Sequence, residues 1–443
     1  MDFISGVLEG FYGRPWTMRQ RLELFSWMKA WGMNTYMYGP KDDLKMRAVW
    51  RDFYSHNELQ DLRTLLKACH KNDIAFVYTI APGLDIGYAN PKDTEALKHK
   101  ISQLLDEGVK HFCILFDDIP FQMQQEDKAH FGSFAKAQAY VSNELFKHIC
   151  NKVKGLFLFC PTDYCARMAK PSVKNSEYLQ ELGKHLDKSI DIFWTGPEIV
   201  SETITSASIR ELSKVLKRKP LIWDNFHAND YDVRRVYLGP FTGRPNTIRR
   251  EVRGVLSNPN NEFEANFIPL RTLSLYAKQK NYQTKKAYQQ ALQEWLPRFK
   301  IHGKEPISLK ELEFLCDLLY TPFENGKRAK RILKDAAFCL LYSPKIWKGE
   351  FKRLKKDAQD INHLFDKLTE LDNRDLLYSL YSYVWEVRHE LLYLVKYLEH
   401  LQSSKKSAFS KPNHLPNTFR TGIVATLEKM LPLDQAGNMY HRS

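Results

Sequence analysis

Along roughly the first 270 residues, short apolar runs alternate with longer stretches in which Leu, Phe and Ala recur every three or four positions. The short runs are ISGVLEG (4–10), NTYMYG (34–39), IAFVYTIA (74–81), HFCILF (111–116), GLFLFC (155–160), IDIFWTG (190–196), PLIWDN (220–225) and RGVLSN (253–258). Their continuous apolar character predicts strands buried on both faces, as in a parallel sheet. Between them lie amphipathic segments such as RQRLELFSWMKAWG and TEALKHKISQLLDEG, often closed by Gly or Asn, which predict helices. Eight strand–helix units in succession predict an α/β chain whose residues 1–280 form a (β/α)8 TIM barrel.

After about residue 280 the strand pattern stops and an all-α region is expected over 281–443. Leu354, Ile361, Leu364, Phe365 and Leu368 mark one apolar helix face, and Leu377, Leu380, Tyr381, Val384, Leu391, Leu394 and Leu398 another. Long helices with such stripes must bury them in a bundle, against the barrel or against a second subunit. The stretch SSKKSAFSKPNHLPN (403–417) reads as a polar loop before a last short helix, and the final dozen residues are expected to fray.

Composition narrows the function classes without choosing one. Of the 443 residues, 43% are apolar and 27% charged, which excludes a disordered chain. No apolar run reaches membrane-helix length, and the start MDFISGVLEGFYG lacks the layout of a signal peptide, so a soluble, unexported protein is expected. Seven cysteines scattered through apolar stretches suit buried reduced thiols, and no Asn-x-Ser/Thr sequon occurs. The formal charge of +14 is spread along the chain without a nucleic-acid motif, so basic stretches such as KVLKRKP and FKRLKK are read as solvated helix faces.

In a TIM barrel the chemistry sits at the carboxyl ends of the strands. The polar residues found there include Glu9, Gly10, Phe11, Tyr12 and Gly13 after the first strand and Lys41, Asp42 and Asp43 after the second. Asp117 and Asp118 follow the fourth, Tyr164 the fifth, Trp223, Asn225 and Asp230 the seventh, and Asn258 the eighth. Carboxylates, amides and aromatics together suit a sugar, whose hydroxyls need paired donors and acceptors and whose apolar faces pack on rings. Asp117 and Asp118 are the sharpest feature: adjacent strand residues point to opposite faces, so both enter one site only if the chain turns there. Neighbouring carboxylates oppose each other's ionisation, which favours one proton donor beside one anion, as glycoside hydrolysis requires. The plainer alternative is a helix cap or an Asx-turn. His227 stands alone without a second ligand at metal spacing, Cys160 and Cys165 lack a matching pair, and LEGFYGRP lacks a phosphate-loop signature, so no metal and no cofactor is expected.

GVLEGFYGRPW, YGPKDD, CILFDDI, FCPTDYC, WTGP, WDNFHANDYD and SNPNNEFEAN together closely resemble glycoside hydrolase family 84, the protein O-GlcNAcases, over about residues 3–280, most nearly the animal intracellular enzymes. The resemblance implies a retaining exo-β-N-acetylglucosaminidase that removes O-linked N-acetylglucosamine (GlcNAc) from Ser and Thr of cytoplasmic, and also nuclear, proteins. It implies a substrate-assisted mechanism in which the 2-acetamido oxygen attacks the anomeric carbon. By position in the FDD motif, Asp117 would hold the acetamido N–H and Asp118 would protonate the leaving oxygen and then activate water. Gly10, Lys41, Asp230 and Asn258 would bind hydroxyls, Asn225 would bond near the reacting centre, and Tyr164 with Trp223 would line the acetamide pocket. The resemblance also implies a homodimer through the C-terminal helices, which would help form a peptide cleft, with modified proteins and peptides as partners and neither nucleic acid nor membrane. No counterpart of the acetyltransferase-like domain of long animal members is recognised. Two other readings stay open at this point: a hexosaminidase of free glycans, and an inactive barrel that binds sugar as a scaffold.

Overall fold

The computed structural model describes residues 3–403, 409–410, 422–430 and 438–439. Most of the expected loop at 403–417 and of the final dozen residues lies outside the described residues. The chain divides into two compact units, Met1–Asp230 with Phe241–Asn261 and Leu273–Tyr282, and Tyr231–Pro240 with Glu262–Thr272 and Gln283–Ser443.

The first unit contains the eight expected strands, β1 (Ile4–Glu9), β2 (Thr35–Tyr38), β3 (Ala75–Ile80), β4 (His111–Leu115), β5 (Phe157–Cys160), β6 (Asp191–Trp194), β7 (Leu221–Asp224) and β8 (Gly254–Ser257). They pair in chain order, all parallel, and β8 closes on β1 with Gly254 opposite Ile4. The helices between them are α1 (Met18–Trp31), α2 (His56–Lys71), α3 (Pro91–Asp106), α4 (Gln125–Phe131), α5 (Phe134–Cys150), α6 (Glu177–His185) and α7 (Ser206–Leu216). Their starts are set by side-chain caps: Thr17 and Ser55 form capping boxes with Gln20 and Glu58, and Asn90, Ser133, Ser176 and Thr205 cap α3, α5, α6 and α7.

Every second strand residue points into the barrel, where Ile4, Leu8, Met37, Val77, Cys113, Leu115, Leu158, Cys160, Phe193, Leu221, Trp223 and Leu256 form one cluster. Each large side chain buried there contributes roughly 1.5–3 kcal/mol. The barrel is thus packed shut below its carboxyl rim.

In the second unit, after α8 (Phe267–Lys278), which the division splits, come α9 (Thr284–Trp295), α10 (Leu309–Leu318), α11 (Lys327–Leu341), α12 (Glu350–Thr369), α13 (Arg374–Gln402) and α14 (Gly422–Met430). The buried stripe of α12 includes Leu354, Ile361, Leu364 and Leu368, and that of α13 includes Leu377, Leu380, Val384, Leu391, Leu394 and Leu398. Tyr381 departs from the expected stripe: it is 48% exposed. Asp335 and Asp357, both buried, are ligated by Arg331 and Arg353 and by Arg328 and Arg331 respectively. A two-residue antiparallel pair, Phe409–Ser410 with Asn438–Met439, departs from the strand-free expectation, being too short to leave a periodicity in the sequence. All seven cysteines are free, and Cys150, expected to be buried, is exposed at the end of α5. Among the described residues no helix is long and apolar enough to cross a membrane.

Candidate active site

The inward register of the strands continues past their ends. Counting by twos from the interior residues reaches Gly10 from Leu8, Asp117 from Leu115, Asn225 from Trp223 and Asn258 from Leu256, whereas Lys41 and Tyr164 lie at or beyond turns that follow β2 and β5. The residues singled out at the rim are therefore largely those that the pleat aims at the barrel axis.

Asp117 and Asp118 follow Phe116, whose N–H still bonds Cys160 O at 3.0 Å. The Phe116 carbonyl accepts from Thr162 Oγ1 at 2.8 Å, and Thr162 is fixed in turn by Gln138 Nε2 at 2.9 Å and by its own N–H on Tyr178 Oη at 2.8 Å. This clamp holds the strand end from which the chain turns. The Asp117 side chain is 14% exposed and that of Asp118 41%. Lys41 Nζ lies 3.6 Å from Asp117 Oδ2 and 3.9 Å from Asp118 Oδ2, on a side chain only 6% exposed. It has no hydrogen-bond partner among the described residues, and neither has Asn258 Oδ1 or Thr79 Oγ1. Buried polar atoms without a hydrogen bond cost about 1–3 kcal/mol each, and a polar ligand at the rim would supply the missing partners.

Asn258 Nδ2 and Trp223 Nε1 both donate to Asn225 Oδ1, at 3.0 and 2.9 Å, while Asn225 Nδ2 donates to Ile199 O at 2.8 Å. The three side chains are locked into one wall. Beneath them the buried Asp224 pairs with Arg244 at 2.7 and 3.0 Å. Gly10 completes the wall: a Cβ there would stand 3.1 Å from the Trp223 ring, so only glycine lets backbone and indole approach. Tyr164 packs on the barrel cluster that contains Trp223, and burial followed by the charges of Asp118 and Asp117 raises its pKa, keeping the phenol a proton donor. Asp230 reaches the group through Tyr12, whose N–H donates to Asp230 Oδ2 at 2.9 Å and whose hydroxyl donates to Asp118 Oδ2 at 2.5 Å. All nine candidates thus fall in one constellation within the barrel unit.

Several rim residues serve the scaffold instead. Glu9 is fully buried, bidentate to Arg21 at 2.9 and 2.7 Å and accepting from Tyr36 Oη at 2.5 Å. Asp43 accepts from the Tyr38 and Tyr54 hydroxyls and caps the turn after Lys41 through the N–H groups of Lys45 and Met46. Sequence reasoning missed the clamp of Thr162 and the support of Arg244; their partners are distant in the chain and no local pattern announces them. Among the described residues no cluster of three or more His, Cys, Asp or Glu side chains is placed to hold a metal.

A beta-N-acetylglucosaminidase family model matches residues 5–304, more than half of the chain. The chain belongs to this family. The beta-N-acetylglucosaminidase match takes in all of the barrel strands except the first residue of β1. Rat and mouse proteins named Protein O-GlcNAcase are each 48% identical over 276 residues, 62% of this chain. The chain spans 30% of the length of these curated relatives. A solved Thermobaculum terrenum O-GlcNAc hydrolase mutant is 28% identical with a TM-score of 0.77, covering 90% of this chain and 83% of its own. The structure of CpGH84B, 24% identical with a TM-score of 0.79 over 96% of this chain and 76% of its own, shares the fold.

Proposed function

We propose that this chain is a retaining exo-β-N-acetylglucosaminidase that removes single O-linked GlcNAc residues from Ser and Thr of intracellular proteins by substrate-assisted catalysis. The observation that carries the reading is the carboxylate pair at the end of β4, unequal in exposure and walled by aromatics and unpartnered polar atoms. Asp117 is the more buried of the two, and in this reading it serves the acetamide pocket of Tyr164 and Trp223. There it accepts the acetamido N–H and balances the positive charge as the acetamido oxygen attacks C1 and an oxazoline forms. Asp118, at the open side, gives its proton to the glycosidic oxygen as the C1–O bond breaks. It then takes a proton from the water that opens the oxazoline. Lys41, Asp230 and Asn258, with the backbone at Gly10, bind hydroxyls, and Asn225 bonds near the reacting centre.

The names of the rat, mouse and Thermobaculum relatives support the O-GlcNAc substrate class. A cytoplasmic location, with the nucleus as a second compartment, accords with the free cysteines. In the helical unit, Tyr378, Tyr381 and Trp385 stand exposed at helical spacing on α13, which supports a role of these helices in homodimer contact and peptide binding. Release of 4-methylumbelliferone from its N-acetyl-β-glucosaminide and of GlcNAc from a Ser-linked glycopeptide tests the proposal. Wild type turns over both, and Asp117→Ala and Asp118→Ala lose several orders of magnitude. A folded wild type inert on both would favour a sugar-binding scaffold, and turnover of the glycoside without the glycopeptide would favour a glycan hexosaminidase.

A further inference from the structure

Tyr12 occupies an unusual position for a half-exposed side chain. Its hydroxyl donates to Asp118 Oδ2 at 2.5 Å across 106 residues of sequence. Its backbone is pinned on both sides, the N–H to Asp230 Oδ2 at 2.9 Å and the carbonyl by Asn261 Nδ2 at 2.7 Å. The ring is held between cations, with Lys41 Nζ 5.3 Å and Arg47 Cζ 5.7 Å from its centroid. A surface tyrosine fixed at backbone, ring and hydroxyl has lost the freedom of an ordinary exposed side chain, and every one of its ties runs to the carboxyl rim.

We infer that Tyr12 is the positioning residue of the acid–base carboxyl, fixing Asp118 Oδ2 so that Oδ1 carries the catalytic proton toward the leaving group. This rests on the reading of Asp118 as general acid. In the first step the Oδ1 proton passes to the glycosidic oxygen, the C1–O bond breaks and Asp118 is left as the carboxylate. The Tyr12 hydrogen bond strengthens at that moment, because a phenol donates more strongly to an anion than to a neutral carboxyl. In the second step water returns a proton to Oδ1 and its hydroxide part bonds to C1 as the oxazoline C1–O bond breaks, its electron pair returning to the acetamido oxygen. Tyr12 keeps its own proton throughout; burial and the bond to Asp118 raise its pKa.

The groups facing Asp118 are Tyr12 on the loop after β1, Lys41 after β2, the neighbouring Asp117, and Tyr164 with Cys160 at the end of β5. Among the described residues only Tyr12 approaches it within hydrogen-bond distance, so removing this hydroxyl should leave the other influences in place. Tyr12→Phe does this while keeping the backbone ties to Asp230 and Asn261.

The test is kcat/KM against pH for wild type, Tyr12→Phe and Asp118→Ala on a series of substituted-phenyl N-acetyl-β-glucosaminides of increasing leaving-group basicity. In Tyr12→Phe the descending alkaline limb is expected to move up by about one pH unit, the equivalent of one charge-assisted hydrogen bond. Its loss at neutral pH should grow with leaving-group basicity to roughly tenfold for the poorest leaving group. An unmoved limb with a uniform loss overturns the inference and leaves Tyr12 a structural contact. Asp118→Ala separates the two failures: a loss independent of the leaving group would overturn Asp118 as the acid itself. A steep dependence in Asp118→Ala with none in Tyr12→Phe would overturn only the role of Tyr12.

Discussion

Replacing Arg244 by Met should unfold the barrel unit more readily than most single changes, because Arg244 has no idle donor. Its five N–H groups go to Asp224 Oδ2 (2.7 Å) and Oδ1 (3.0 Å), Glu202 O (2.9 Å), Thr242 O (3.1 Å) and Ser201 O (2.9 Å). Both charged side chains are 1% exposed. Arg244→Met therefore leaves the Asp224 carboxylate buried without its counter-charge, a loss of about 3–5 kcal/mol. Methionine restores part of the contact with the Phe226 and Phe241 rings but none of the hydrogen bonds. Asp224 continues directly into Trp223 and Asn225, so the surviving folded protein should also turn over more slowly. Urea titration followed by tryptophan fluorescence reads the shift in midpoint. The double variant Arg244→Met with Asp224→Leu should recover most of the stability, since no charge then remains buried. A loss under about 1 kcal/mol in Arg244→Met, or a double variant worse than the single one, would refute the reasoning.

Three further outcomes follow from the same geometry. Gly10→Ala puts a Cβ 2.7 Å from Leu8 Cδ1 and 3.1 Å from the Trp223 ring, so kcat/KM on the fluorogenic substrate should fall roughly tenfold or more while the fold persists; wild-type activity would show that the wall yields without cost. Asp357→Ala strips the buried anion from Arg328 and Arg331 and should destabilise the helical unit by about 2–3 kcal/mol in a chemical denaturation, with an unchanged midpoint as the contrary result. Lys100 is buried with its ammonium on Asp52 O and over the Tyr54 ring, and burial lowers its pKa to about 8. Between that value and the ordinary lysine value near 10.4 the unfolded chain binds more protons, so stability from this group rises with pH. Wild type should gain relative to Lys100→Met between about pH 7.5 and pH 9.5, and a constant difference would contradict the assignment.

The barrel was legible because its strands are buried on both faces and so appear as continuous apolar runs bounded by Gly, Asn or Pro. The rim was legible because the same period of two that buries Leu8, Leu115 and Leu256 carries on to Gly10, Asp117 and Asn258. What stayed hidden depends on pairings far apart in the chain. Glu9 stands beside Gly10 among the residues at the strand end, and nothing local in the sequence announces that Arg21 and Tyr36 consume its oxygens. Tyr12 and Asp118 are separated by three helix–strand units, and nothing local in EGFYG or FDDI predicts that they touch. Tyr381 fits the α13 stripe by spacing alone, but a helix shows its edge positions to whichever side lacks a neighbour.

The central claim is that the substrate's own acetamido oxygen, guided by Asp117, is the nucleophile, with Asp118 as acid and base. The most direct test is the rate of wild type on 4-methylumbelliferyl glucosaminides bearing N-acetyl, N-fluoroacetyl, N-difluoroacetyl and N-trifluoroacetyl groups. Each fluorine makes the carbonyl oxygen a weaker nucleophile, so the account predicts a steep, graded fall in kcat/KM along the series. A rate indifferent to the acyl group would remove the oxazoline route, even with hydrolysis intact and both carboxylates essential.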